Sequence, residues 1–391
     1  MQVLDARILN GQQKLNAFFI LLTSKNKYFA KVIFMTKILV IQNKRIGDVL
    51  ISSVIANNIK NVFKDAHVTY FVYDYTTGVI ENNPNIDRII AINDKELKKF
   101  PTLLKTIKQI RREEYDIIFD SYAKFQSRIM CLFSGATYRI GFKRKHKELK
   151  FPFYTNPINF LDKKTQFCGK AIEDRINIIN SVFSLENPDD RPKIFLTEAE
   201  KNYDRLIAIK GPIVMFTVLG SSIPKSLPFD YVATLIDYIT DNYEATILFN
   251  YAPYQKKDAF KIYELCKNKE QINLDIYEDS IRGFITLMNK CDLLIANEGG
   301  TVHITKALNK PTFTVYSPYI EKEDWNSFED GIEHDSVHLL EEKPDLFEEF
   351  TRDSRKEIEE NPESLYRELT PDIIIKKMKP FLEGHLKSVQ K

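Results

Sequence analysis

From Lys37 onward the chain alternates short, wholly apolar runs with longer stretches in which apolar residues recur every three or four positions. The run Ile38-Leu39-Val40-Ile41 has no polar face, as expected of a strand in a parallel sheet covered by helices on both sides. A polar turn, Gln42 to Asp48, follows it. Val49, Leu50, Val54, Ile55, Ile59, Val62 and Phe63 then fall at helical spacing. His67 to Tyr73, built of β-branched and aromatic residues, predicts a second strand. After the break at Glu81 to Asn85, Ile86 to Ile92 resumes a strand. Leu97 to Arg112 has the pattern of an amphipathic helix, and Tyr115 to Asp120 that of another buried strand. Such βαβ succession predicts an α/β fold with a parallel, doubly wound sheet.

The pattern then weakens. Gly141 to Asp162 is basic, aromatic and punctuated by proline, and is expected to be mostly loop. Ile172 to Phe183 is helical, and Asn187-Pro188-Asp189-Asp190-Arg191-Pro192 has the composition of a linker. Beyond it the alternation starts again. Strands are expected at Ile213 to Val218, Ala245 to Asn250, Asp292 to Ala296 and Thr312 to Tyr316. Helices are expected at Tyr231 to Thr240, Phe260 to Asn268, Phe284 to Lys290 and Val302 to Leu308. The end, from Glu341, is highly charged and helical, closing in Pro371 to Leu386; a terminal helix packing back across the interdomain face would fit it. The expected division is an N-terminal extension at 1–34, a first Rossmann-like domain at 35–186, a second at 187–345 and a helical segment at 346–391. Because the first strand begins directly after Met35-Thr36, the preceding residues are either an artefact of a misplaced start, with Met35 as the true one, or a poorly packed extension.

At 391 residues the chain is long for one ordinary domain and suits two such halves. A formal net charge of +2 argues against a general nucleic-acid binder. Cys131, Cys168, Cys266 and Cys291 stand far apart, without a CxxC pair, which gives neither a zinc site nor a disulfide framework. No stretch approaches the roughly 20 apolar residues needed to cross a bilayer, and Ala17 to Leu22 lacks the flanks of a signal peptide. A cytoplasmic protein is expected.

Three turns carry candidate chemistry, each between a strand and a helix, where ligands bind in doubly wound folds. In Arg45-Ile46-Gly47-Asp48, Gly47 lets the backbone pass close to a ligand. Asp48 is either an N-cap or a general base for a hydroxyl. No GxGxxG follows the strand, which weighs against a nicotinamide enzyme. In Asn297-Glu298-Gly299-Gly300-Thr301-Val302-His303, paired glycines offer amides to an anion at a helix N-terminus. Glu298 would accept hydrogen bonds from sugar or ribose hydroxyls, and His303 would reach the same cleft. In Gly220-Ser221-Ser222-Ile223-Pro224-Lys225, the lysine is either a point charge for a phosphate or a solvated surface residue. No DxD pair or HExxH cluster points to a metal, and no GxSxG elbow to a serine hydrolase.

Taken together these segments resemble glycosyltransferase family 9, the heptosyltransferases of lipopolysaccharide core assembly. The resemblance runs from Lys37 to Pro318. It is carried by "KILVIQNKRIGDVLISSVIANNIKNVF", "ENNPNIDRII", "YDIIFDSYAKFQSRIMCLFSGATYRIGF" and "LLIANEGGTVHITKALNKPTFTVYSP". It implies a GT-B fold, two Rossmann-like domains facing a central cleft, with the acceptor mainly on the first and the nucleotide-sugar donor mainly on the second. It implies inversion at the anomeric carbon by direct displacement, with neither a metal nor a cofactor. Position by position, Asp48 matches the catalytic base and Lys225 the lysine beside the donor phosphates. Glu298, Gly300 and His303 match a D-x-G-x-x-H pattern, with Gly299 and Thr301 alongside. Glu298 departs from the usual Asp, and Gly299 from the usual hydroxyl residue, so the donor need not be ADP-heptose. Arg45, Gly47 and Arg144 are the expected acceptor contacts, and the basic, aromatic stretch Phe142 to Tyr154 is a candidate surface for a lipid-linked acceptor. Such an acceptor implies peripheral contact with the inner face of the membrane. The competing readings are a nucleotide-sugar epimerase or dehydrogenase, and an inactive relative that retains the cleft.

Overall fold

The computed structural model describes residues 36–143, 152–222, 225–347 and 363–389; the reading of Met35 as a start lies outside them. Two six-stranded sheets, parallel throughout, form its framework. The first contains β1 (Lys37–Ile41), β2 (His67–Tyr73), β3 (Arg88–Ile92), β4 (Ile117–Asp120), β5 (Tyr138–Phe142) and β6 (Asn156–Ile158), in the order β3-β2-β1-β4-β5-β6. The second contains β7 (Ile213–Thr217), β8 (Thr246–Asn250), β9 (Ile272–Asn273), β10 (Leu293–Asn297), β11 (Thr312–Val315) and β12 (His334–Val337), in the order β12-β11-β10-β7-β8-β9. Counted from its own first strand, each sheet has the Rossmann order. The direction of winding reverses between β1 and β4, and again between β7 and β10.

The longer helices are α1 (Ile46–Val62), α2 (Phe100–Arg112), α3 (Phe125–Phe133), α4 (Lys170–Asn180), α5 (Phe229–Asn242), α6 (Lys256–Leu265), α7 (Ile281–Met288), α8 (Gly300–Ala307) and α9 (Pro371–His385). The amphipathic stretch expected at Leu97 to Arg112 is divided. A single turn, Asp94–Leu97, is capped by Asn93, and α2 starts afresh with Pro101 in its first turn, where a missing amide hydrogen costs nothing. The stretch Gly141 to Asp162, expected to be mostly loop, holds the end of β5 and the whole of β6. β6 has only three residues, Asn-Pro-Ile. Its proline is tolerated because the strand lies at the sheet's edge.

α1 is buried almost from end to end, from Gly47 to Ile59. It packs against α4, and against α8 of the second half, so it has no solvated stripe. Its buried asparagines find partners outside the helix. Asn58 exchanges two hydrogen bonds of 2.8 Å with the backbone of Asp189, which fastens the linker to α1. One apolar cluster runs without interruption from Ile38 and Val40 of the first sheet to Met215, Leu248 and Ala296 of the second. The terminal helix α9 packs on the second half, where Ile374, Met378, Phe381 and Leu382 join the core of that sheet. All four cysteines are buried free thiols. Among the described residues no helix is long and apolar enough to cross a membrane.

Candidate functional site

The turns at the two winding reversals face each other. Asp48 lies in the first turn of α1 and is 4% exposed. It does not cap the helix: Arg45 occupies the N-cap, with no side-chain capping bond. The carboxylate is instead flanked by two cations. Lys44 Nζ lies 2.8 Å from Asp48 Oδ1, and Arg175 Nη2, reaching over from α4, lies 3.5 Å from the same oxygen. Lys44 also stands 5.6 Å above the ring of Trp325, whose centroid is 6.0 Å from that of His303.

Contact between the halves is closest at two glycines. A Cβ on Gly47 would lie 2.8 Å from His303 Cδ2 and 3.4 Å from the Gly300 Cα. One on Gly300 would lie 3.2 Å from Ile46 Cβ and 3.3 Å from the Gly47 nitrogen. A side chain at Gly47 would press on the His303 ring, and one at Gly300 on the start of α1 itself. Gly47, expected beside an acceptor, is thus packed against the second half. Gly299 is different: its φ of 163° is ordinary extended backbone, and a Cβ there would meet nothing within 4 Å. Thr301 is half-buried, and its carbonyl accepts from Thr305 Oγ1 at 2.9 Å.

Glu298 follows β10. Its Oε2 accepts from the Ser317 amide at 2.8 Å, and its Oε1 lies 3.8 Å from Lys225 Nζ. The loop bearing Lys225 doubles back so tightly that a Cβ on Gly220 would fall 2.0 Å from the Lys225 carbonyl oxygen. Ser226 Oγ holds the Gly220 amide at 2.8 Å, and Asn297 Oδ1 accepts from the Leu227 amide at 3.3 Å. Asn297 thereby ties the loop after β7 to the loop after β10. Arg45, expected as an acceptor residue, crosses the cleft to bring Nη1 3.5 Å from Ser221 Oγ of that same loop. Arg144 lies outside the described residues. Two aromatic residues of the segment around it pack onto the first half. The Tyr154 hydroxyl donates to Asp120 Oδ2 at 2.6 Å, and Phe153 and Tyr154 both flank the Arg128 guanidinium.

Sequence patterns gave no role to Arg175, Trp325, Asn297 of the candidate turn, or the buried amides of Gln42 and Asn43, both 0% exposed at the end of β1. Gln42 Oε1 and Nε2, Asn43 Oδ1 and Ser121 Oγ have no hydrogen-bond partner, an unusual state for buried polar groups. Arg175 had one faint signal. Glu173-Asp174-Arg175 puts three charges in a helix, and all three are buried. Glu173 takes the amides of Thr165 and Gln166, and Asp174 takes the amide of Leu161 at 2.8 Å.

Burial governs the titration of the site. It pushes the Glu298 carboxyl up to about 7, against the pull of the Ser317 amide and the Lys225 ammonium. It pushes His303 down to about 4, with Lys306 acting in the same direction, so His303 is a neutral imidazole at pH 7. Glu298 therefore stabilises the fold most below the ordinary carboxyl value of 4.5, and that contribution is lost as pH rises to about 7. Half-buried His303 and buried His334, both neutral at pH 7, have the opposite trend. In Glu298→Gln the stability relative to the wild-type chain should rise by on the order of 2 kcal/mol between pH 5 and 8. Urea denaturation of both proteins across that range checks this; parallel curves would refute it.

A family model described as glycosyltransferase family 9 (heptosyltransferase) matches residues 103–345, more than half of the chain. Lipopolysaccharide heptosyltransferase 1 of Campylobacter coli is 23% identical over 294 residues, covering 72% of this chain and 83% of that protein. A glycosyl transferase family 9 structure from Veillonella parvula superposes with a TM-score of 0.71 at 16% identity, covering 91% of this chain and 99% of the other. The Escherichia coli heptosyltransferase WaaC, solved with ADP-2-deoxy-2-fluoro heptose, gives 0.63 at 15% identity, covering 89% and 99%. The last two likenesses bear on the fold: two Rossmann-like domains in the GT-B arrangement.

Proposed function

Because the chain belongs to glycosyltransferase family 9 and is a glycosyltransferase of the heptosyltransferase type, we propose that it moves a heptose or related sugar, with inversion and without a metal, from a nucleoside-diphosphate sugar onto a lipid-linked saccharide acceptor of the lipopolysaccharide core. The observation that carries this reading is the meeting of α1 and α8 at Gly47 and Gly300, which brings His303 of the second half near Asp48 of the first. The first half, from residue 35 to 186, would hold the acceptor. The second, from 187 to 345, would hold the donor, and ADP is the nucleotide that the WaaC complex favours.

In the reaction an acceptor hydroxyl attacks the anomeric carbon from the face opposite the diphosphate. Asp48 takes the hydroxyl proton as the new C–O bond forms. The bond from the anomeric carbon to the phosphate oxygen breaks, and the nucleoside diphosphate leaves with its electron pair. Negative charge grows on that leaving group. Lys225, Arg45 and the amides of Gly299, Gly300 and Thr301 at the start of α8 would stabilise it, supplying the positive field that other transferases take from a divalent ion. Glu298 would accept from sugar or ribose hydroxyls, and neutral His303 would exchange hydrogen bonds with the transferred sugar. The unpartnered Gln42 amide, Asn43 Oδ1 and Ser121 hydroxyl would meet polar groups of the acceptor. An acceptor of this kind sits in a membrane, and the enzyme would meet it from the cytoplasmic face.

Nucleotide-induced thermal stabilisation tests the reading. ADP without magnesium should stabilise the chain, by roughly 2.7 kcal/mol at about 100 times its dissociation constant. Preference for another nucleoside diphosphate would keep the transferase and change the donor. Stabilisation by NAD alone would overturn the assignment.

A further inference from the structure

A second site lies behind the cleft. A cavity of about 200 Å³ is lined by Ile51 of α1, Ile172 of α4, Arg191 of the linker, Lys193 just beyond it, the flank of α8 at Lys306, and Ser327. His303 also lines it. We propose that this cavity binds a small tetrahedral oxyanion, a phosphate or phosphate monoester, held by Arg191, Lys193, Lys306 and Ser327.

Charge and burial support this assignment. Ser327 is 2% exposed, and its hydroxyl has no hydrogen-bond partner. Among the described residues the Arg191 guanidinium makes no ion pair; it lies 3.8 Å from the centroid of the Phe328 ring. That leaves its donor edge for a ligand. Lys306 is 6% exposed; its ammonium donates to the Ser327 carbonyl, and Glu329 stands no nearer than 3.8 Å. Lys193 is neutralised by Asp189 at 2.6 Å, so the positive character of the lining rests on Arg191 and Lys306. Glu329 and Asp330 oppose the burial of this ammonium without overcoming it, and an anion in direct contact with it would reduce the cost further.

The shape limits the ligand. A cavity of about 150 Å³ accommodates benzene, whereas whole drug-sized ligands need roughly 300 Å³ or more. A phosphate group fits here and a nucleotide does not. Arg191 in the linker, and Lys193 just after it, follow the Asp189 backbone that Asn58 fastens to α1, while Lys306 and Ser327 lie on α8 and beyond. An anion gripping both would fix the angle between the halves.

Calorimetric titration of the full chain with inorganic phosphate, and separately with glucose 1-phosphate, tests the proposal. At least one should bind, with affinity about tenfold weaker in Arg191→Gln and in Ser327→Ala, the loss of one charge-assisted hydrogen bond. Affinity in Lys225→Ala should be unchanged, and ADP should bind Arg191→Gln as it binds wild type. Tighter binding of glucose 1-phosphate would identify a saccharide phosphate as the ligand; tighter binding of inorganic phosphate would identify the free ion. The proposal fails if neither binds, if Arg191→Gln and Ser327→Ala bind both as wild type does, or if only Lys225→Ala abolishes binding, which would move the ion to the donor site.

Discussion

Asp48→Asn is expected to lower the turnover number for glycosyl transfer by about three orders of magnitude while leaving ADP affinity within about twofold of wild type. A positioned general base contributes on the order of 10²–10⁴ to rate, and Asn keeps the shape of Asp while losing the proton acceptor. The nucleotide is proposed to rest on the other half, so its binding should not register the change. Stability will register it. Asp48 partners Arg175, whose side chain is 8% exposed, and removing one member of a buried ion pair leaves the other charge uncompensated. Lys44, whose side chain is 38% exposed, can turn to solvent, so the loss should be moderate. Steady-state kinetics and ADP titration on the same preparation separate the effects. Turnover within about tenfold of wild type, or a parallel collapse of ADP binding, would remove Asp48 from the role of base.

The strands that position this site were legible because parallel strands covered on both faces leave unbroken apolar runs. His67–Tyr73 has the ends its residues predicted. Strands missed were those where that rule lapses. β5, Tyr-Arg-Ile-Gly-Phe, is interrupted by an arginine and a glycine. β6 and β9 have three and two residues, too short to show a period. β12, His-Asp-Ser-Val, is a polar strand at a sheet edge. The three candidate turns were found because a strand, a glycine and a helix start are adjacent in sequence. Arg175 was not, since it stands 127 residues from the carboxylate it approaches, and spacing along a chain says nothing about such a pair. Arg45 shows the same limit in another form. Its place on the first half was evident, but the direction of its side chain, toward Ser221 of the second half, depends on how the halves meet.

How the halves meet is what Gly300→Ala would disturb. A methyl group there would sit 3.2 Å from Ile46 Cβ and 3.3 Å from the Gly47 nitrogen. Neither neighbour is the free end of a flexible side chain, so relief must come from the backbone, by a few tenths of an ångström between the starts of α1 and α8. Misplacement by about 1 Å costs on the order of 100-fold in well-aligned reactions; about a tenfold loss of turnover is expected for Ala and a larger one for Val. Thermal stability should change little in Gly300→Ala, because alanine at the first position of α8 gains up to about 1 kcal/mol of helix propensity against the steric cost. Gly299→Ala is the matched control. Its backbone is extended and the space around it open, so its turnover should stay within about twofold of wild type. A contrast between adjacent glycines would then report the closeness of the two halves rather than general intolerance of the loop. Equal activity in the two variants would mean that the contact between Gly47 and Gly300 does not set the distance over which the sugar is passed.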